Sequence, residues 1–119
     1  MSGAYRWGED KNNADYIVLG ADHAFTQFER SDSATGLTVA PFNSLIASGS
    51  WKMKGEYIEL MPAGKYDAHH FVRRLKIVRT GGETRLLPMF GANWMPEGGY
   101  VEIHGADAVL PSNFAFYPR

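Results

Sequence analysis

Cysteine is missing from all 119 residues of the chain. Its absence excludes disulfide bonds, thiolate zinc sites and cysteine nucleophiles. It also means that cysteine usage does not indicate whether the protein works in a reducing or an oxidising compartment. The chain is 45% hydrophobic, and at this length it can form one domain with a core of its own but not comfortably two. We therefore expect a single domain over residues 1–119.

An excess of charge of either sign is also missing. The chain has 12 basic and 13 acidic residues, which give a formal net charge of -1. A domain that binds nucleic acid or an anionic membrane usually carries a clear positive surplus. We therefore expect no nucleic-acid partner.

Long apolar runs are absent too. No stretch approaches the roughly 20 apolar residues that a membrane-spanning helix needs, so we expect no membrane span. The first residues have neither the charged nor the apolar region of a signal peptide. We expect a protein that is either cytoplasmic or exported after removal of a targeting segment.

Turn-forming residues do occur throughout the sequence and divide it into short segments. Its 13 glycines and 6 prolines separate short stretches rich in aromatic and branched apolar residues. This spacing is typical of many short strands, and no segment has a competing helical period. Successive hairpins without crossover helices predict an all-β fold, an antiparallel meander of about eight strands that closes into a small barrel.

One hairpin is predicted around Lys54-Gly55. A two-residue turn there places Trp51 opposite Ile58 and on the same face as Met53. The residues that alternate with these three along the strands are polar. One face of the hairpin is therefore expected to pack against the core and the other to face solvent. We therefore expect Trp51 to be buried.

A second hairpin is predicted around Gly81-Gly82. Glycine tolerates the positive φ that tight hairpin turns require. A two-residue turn there places Ile77 opposite Leu86 on the core side and Val78 opposite Arg85 on the other side.

The first half of the chain resembles a known group of small barrels. The residues that carry the resemblance are Tyr5, Leu19, Asp22, Phe25, Gly49, Ser50, Trp51, Gly55, Ile58 and Leu60. Their order is similar to that of the lipocalin-like β-barrel domains of bacterial exported proteins, including the N-terminal domain of the copper-resistance lipoprotein NlpE and META-type domains. The resemblance implies a lipocalin-like barrel and is carried over at the level of the fold alone.

Arg73 is one candidate ligand-binding residue. It has the same alternation phase as Phe71 and Leu75, which predicts that it points toward the barrel interior. An inward arginine near an open end can bind a carboxylate or phosphate through two hydrogen bonds, or it can pair with a structural carboxylate.

Trp94 and Met95 are further candidates, in a segment rich in glycine and proline between two predicted strands. Trp94 either closes one end of the barrel or anchors a ligand or a partner protein. His104 ends the predicted strand that starts at Tyr100 and completes the candidate set.

Asp67, His69 and His70 are potential metal ligands that lie close together in the sequence. Adjacent residues on a strand point to opposite faces, so the two imidazoles could share an ion only in a turned backbone, with a third ligand such as His23 or His104 from elsewhere. We therefore expect no metal and no other cofactor.

No motif indicates catalysis, since the chain has no Gly-x-Ser-x-Gly elbow and no phosphate-binding loop. The sequence favours a non-catalytic binding protein for a small apolar or amphipathic ligand or for a protein partner. One alternative is an inhibitor or immunity-type protein that blocks an enzyme, and another is a cofactor-free enzyme that uses histidine and arginine at a barrel mouth.

The C-terminal segment suggests association. Phe114 and Phe116 share one face of a predicted strand, whereas Ala115 and Tyr117 share the other. We predict a homodimer with the two phenylalanines in the core and Tyr117 near the interface.

Overall fold

The computed structural model describes residues 2–8, 10, 12–31, 42–66, 71, 73–90, 93–94, 99–104 and 116–118. All regular structure in these residues is β. The strands are β1 Gly3–Trp7, β2 Ala14–Leu19, β3 Ala24–Ser31, β4 Phe42–Lys54, β5 Tyr57–Pro62, β6 Arg74–Thr80, β7 Glu83–Phe90, β8 Asn93–Trp94, β9 Tyr100–Ile103 and β10 Phe116–Pro118. None of the described segments forms a helix long and apolar enough to span a membrane.

Eight of the strands form a closed ring. Strands β1 to β7 pair in sequence order, β9 pairs with both β7 and β1, and every pair in the ring is antiparallel. The pairing of β4 with β5 completes the closure. The predicted antiparallel meander that closes into a barrel is therefore confirmed.

The terminal strand lies outside this ring. Strand β10 pairs with residues Asn43–Leu45 of β4 in the parallel direction, so it does not continue the antiparallel meander. Phe114 lies outside the described residues. The homodimer with Tyr117 near its interface stays a prediction.

The Gly81-Gly82 hairpin has the predicted register. Ile77 lies opposite Leu86 and Val78 lies opposite Arg85. Both turn glycines have positive φ, 59° and 83°, as a type I′ turn requires.

In the other hairpin the predicted faces are confirmed but the predicted partners are wrong. Trp51 lies opposite Leu60, not Ile58, because the turn is formed by Gly55-Glu56. Gly55 has a φ of 61°, while Glu56 does not have a positive φ, which fits a type II′ turn with glycine at its first central position. Met53 lies on the predicted face but is 46% exposed, because it lies close to the hairpin tip.

Side chains of the ring fill the barrel interior. The inward cluster consists of Tyr5, Ile17, Leu19, Phe25, Ile46, Ala47, Trp51, Ile58, Leu60, Leu75, Leu86 and Tyr100. Trp51 is buried as predicted, with 5% of its surface exposed. A second buried cluster covers part of the outer wall, where Tyr16 stacks on Phe28 with ring centroids 5.0 Å apart.

The two ends of the barrel differ in their connections. One end, which we call the turn end, has the tight connections 20–23, 55–56 and 81–82. We call the opposite end of the barrel the loop end. It is formed by the ends of the strands that the longer connections join, which are 8–13, 32–41, 63–73 and 91–99. The described ends of these strands therefore frame one mouth of the barrel.

Candidate functional site

A cavity of about 500 Å³ lies at the loop end. It is lined by Trp7, Gly8, Asn13, Ala14, Asp15, Glu29, Arg30 and Ser31. These residues come from the end of β1, the β1–β2 connection, the start of β2 and the end of β3. The volume lies within the range of natural small-molecule sites, which is roughly 300–1,000 Å³.

Trp7 forms the aromatic wall of this cavity. Its indole packs on the core and meets the ring of Tyr100 edge-to-face, with centroids 5.4 Å apart and planes at 72°. This edge-to-face geometry is a favoured aromatic arrangement. Trp7 therefore separates the filled core from the cavity and offers an apolar surface to it.

Asp15 and Glu29 form an acidic pair in the same cavity. They lie directly opposite each other across β2 and β3, where Cβ atoms are about 4.5–5.5 Å apart. Both are half-buried, and their phase matches that of the inward residues Ile17 and Gln27. Directly opposed carboxylates concentrate negative charge, so this part of the cavity wall is acidic.

Further inside the barrel, beyond this acidic pair, lie two more polar side chains. Gln27 is fully buried, and its Nε2 donates to the Tyr100 hydroxyl at 3.5 Å. Burial, reinforced by the charge of Asp15, raises the pKa of Tyr100 well above its ordinary value. The hydroxyl therefore stays protonated, and it accepts the hydrogen bond from Gln27 inside the barrel.

Asp10 shapes the rim of the cavity by folding the β1–β2 connection. Its Oδ1 accepts from the backbone N–H of Asn12 at 3.0 Å, and its Oδ2 accepts from Nδ2 of Asn13 at 2.9 Å. These two hydrogen bonds lower the pKa of Asp10. They hold Asn13, which lines the cavity, in a defined local turn.

Arg73 does not occupy the predicted interior position. It is exposed and precedes β6, and its carbonyl accepts a hydrogen bond from the N–H of Leu60 at 2.8 Å. The strand alternation starts only at Arg74, so extrapolating it back to position 73 fails. A ligand-binding role for Arg73 stays a prediction.

Trp94 lies in β8, opposite Met89 at the end of β7, which places its backbone at the loop end. Met95, Asp67, His69 and His70 lie outside the described residues. Among the residues that are described, no group of three or more potential metal ligands is found.

His104 lies at the turn end, away from Arg73. Its Nε2 is 3.2 Å from Oε1 of Glu102, and Oε2 of the same carboxylate accepts from the Tyr5 hydroxyl at 3.5 Å. A second cavity, of about 540 Å³, borders Glu102 and His104. The structure therefore does not bring the predicted histidine and arginine together.

Sequence reasoning missed Trp7, Asp15 and Glu29 as site residues. The signal was present in the alternation, because Asp15 has the phase of Ile17 and Leu19, which are fully buried. A charged residue at an inward phase near a strand end indicates a barrel mouth.

Known proteins provide no match to this chain. Comparisons with protein-family models, with curated proteins and with solved structures all find none. The function is therefore inferred from the geometry of the residues alone.

Proposed function

We propose that this protein is a non-catalytic binding protein of lipocalin-like type that holds a small amphipathic ligand at the loop end of its barrel. The observation that carries the proposal is the cavity at this end, with an aromatic wall at Trp7 and the inward pair Asp15 and Glu29. Small barrels commonly bind one ligand at a mouth surrounded by their longer loops.

The chemistry of the lining favours a ligand with an apolar body and a positively charged amine. The indole of Trp7 offers contact area to the apolar part and can also attract a cation to its face. Asp15 and Glu29 accept hydrogen bonds from the amine, and each charge-assisted hydrogen bond is stronger than a neutral one. Arg30 also lines the cavity, and it disfavours a second positive group on the same ligand.

Binding is favoured over the alternative of catalysis by histidine and arginine. The His104–Glu102 pair lies at the turn end, and the filled core separates it from the loop-end cavity. Arg73 is exposed and precedes β6. In the part of the chain that the structure describes, His104 and Arg73 therefore do not converge on one cavity.

A matched series of three probes tests the proposal. Decylamine, decanol and decanoate have the same apolar chain and differ only in the charge of the head group. Calorimetric titration below their aggregation concentrations should give the highest affinity for decylamine and the lowest for decanoate. The double variant Asp15→Asn, Glu29→Gln should lose the preference for the amine while it still binds decanol.

Glu83→Gln is the control, because it removes a carboxylate from the turn end, where Glu83 is exposed. It should leave the order of affinities unchanged. Failure of all three probes to bind, or equal binding of decylamine and decanoate, would refute the proposed ligand site.

A further inference from the structure

The outer surface of β4, β5 and β6 carries a charged patch that the loop-end site does not use. Cross-strand register aligns Lys52 with Glu59 and Glu59 with Arg74, while Lys54 lies opposite Tyr57 in the next row. These residues alternate with the buried Ile58, Leu60 and Leu75, so they face away from the core. We call Lys52, Lys54, Tyr57, Glu59 and Arg74, together with the neighbouring Met89, the basic patch.

Glu59 lies at the centre of the basic patch and below its cations. Its side chain is 12% exposed, whereas those of Lys52, Lys54 and Arg74 are 45%, 58% and 58% exposed. The carboxylate is 3.9 Å from Nζ of Lys52, 3.8 Å from Nζ of Lys54 and 3.5 Å from Nε of Arg74.

These three contacts are longer than the roughly 2.7–2.9 Å of a charge-assisted hydrogen bond. Three cations share one recessed carboxylate, so the outer layer of the patch is positively charged. Their ammonium and guanidinium groups can therefore still donate strong hydrogen bonds to an incoming anion.

The basic patch also has an apolar component. A cavity of about 300 Å³ is lined by Lys54, Tyr57, Glu59, Arg74 and Met89. Tyrosine, methionine and arginine are enriched in the cores of protein interfaces, and tyrosine and arginine dominate their binding energy. The patch therefore combines charge selection with a pocket for one apolar side chain.

We propose that the basic patch docks an extended acidic segment of a partner protein. Lys52 and Lys54 are two residues apart on β4, which places their Cα atoms about 6.8 Å apart on the same face. Acidic side chains at alternate positions of an extended segment have the same repeat. Such a segment along β4 pairs with both lysines, and an apolar residue next to its acidic residues enters the cavity beside Tyr57.

A nucleic acid or an anionic membrane fits this surface less well. The central carboxylate of Glu59 repels closely spaced phosphates, and the chain has a net charge of -1, so it gives no long-range attraction to a polyanion. Discrete pairing with alternating carboxylates uses the three cations without placing a negative group against Glu59.

Fluorescence anisotropy with a labelled peptide tests this surface in the full chain. The probe is the capped hexapeptide Glu-Val-Glu-Val-Glu-Phe, and the competing probes are an oligouridylate and phosphatidylserine vesicles. We expect saturable binding of the peptide that weakens as salt is added. Arg74→Gln and Lys54→Gln should each weaken it by about tenfold, a change of about 1.4 kcal/mol.

Two further variants separate docking from a general charge effect. Lys65→Gln removes an exposed lysine from the β5–β6 connection and should leave the affinity unchanged. Glu59→Gln should strengthen peptide binding, because it frees the three cations from their shared carboxylate. The proposal is overturned if Glu59→Gln weakens binding, if Lys65→Gln acts like Lys54→Gln, or if the oligouridylate or the vesicles bind more tightly than the peptide.

Discussion

The imidazole of His23 stacks on the indole of Trp51, with ring centroids 4.9 Å apart and planes at 29°. The two residues are also joined through the backbone, where the N–H of Trp51 donates to the His23 carbonyl at 2.8 Å. Nε1 of Trp51 donates to the Gly20 carbonyl at 3.0 Å. Trp51 therefore fastens the β2–β3 turn to β4 at the turn end of the barrel.

Trp51→Ala should lower the free energy of unfolding by about 3–5 kcal/mol, because it empties a core position and removes the hydrogen bond to Gly20. Trp51→Phe keeps an apolar ring but loses the indole N–H, so it should cost less. Chemical denaturation of the three proteins measures the order. A Trp51→Ala protein that unfolds at the wild-type denaturant concentration would contradict the burial of this side chain.

His23 has a φ of 66°, a conformation that costs a residue with a side chain roughly 1 kcal/mol relative to glycine. His23→Gly relieves this strain but loses the stacking on Trp51, whereas His23→Ala loses the stacking and keeps the strain. We therefore expect His23→Gly to be more stable than His23→Ala by about 1 kcal/mol. Thermal unfolding of both variants checks the order, and the reverse order would show that position 23 does not need a positive φ.

Gly49 lies where β4 pairs with Phe25 on one side and with Pro62 on the other. An added Cβ would collide with the Met61 carbonyl and lie 2.9 Å from the Ala63 nitrogen. Gly49→Ala should therefore cost at least about 2 kcal/mol, because backbone atoms must move. Ser48→Ala, at the neighbouring position, is the control and should change the denaturation midpoint little. Equal midpoints for Gly49→Ala and Ser48→Ala would contradict the close approach of β4 and β5.

Burial, followed by the nearby carboxylate of Glu102, raises the pKa of Tyr5 to about 12. A tyrosine in the unfolded chain titrates near pH 10. As the pH rises from about 10 to about 12, the unfolded chain loses this proton before the folded chain does. The contribution of this group to the free energy of unfolding should therefore be greatest below pH 10 and be lost as the pH rises through about 12.

Urea denaturation at a series of alkaline pH values measures this loss. Tyr5→Phe should reduce the slope, since phenylalanine has no proton to lose, and the contribution of Tyr100, whose pKa is also raised, should remain. An identical slope in wild type and Tyr5→Phe would show that Tyr5 does not resist ionisation in the folded protein.

Local turn chemistry explains how much of the fold the sequence predicts. At Gly81-Gly82 both central positions accept positive φ, so the predicted register agrees with the structure. At Gly55 one glycine fits either central position of a turn, and the structure places it first. The resulting shift of two residues keeps every side chain on its predicted face, because the strand period is two.

The candidate site was harder to predict because it depends on contacts between distant strands. The interior position predicted for Arg73 depends on an alternation extended beyond the start of β6, where it does not hold. Asp15 and Glu29 become a pair only when β2 and β3 are in register. The parallel docking of β10 on β4 has no local sequence signal, since the same alternation fits an antiparallel neighbour.

The most direct test of ligand binding at the loop end is a titration of isotope-labelled protein with decylamine, followed by backbone amide chemical shifts. We predict saturable shifts that are largest at Trp7, Asp15 and Glu29, which line the cavity, and negligible shifts at Gly81 and Gly82 in the turn end. Shifts that are largest at the turn end, or that do not saturate, would contradict a ligand site at the loop end.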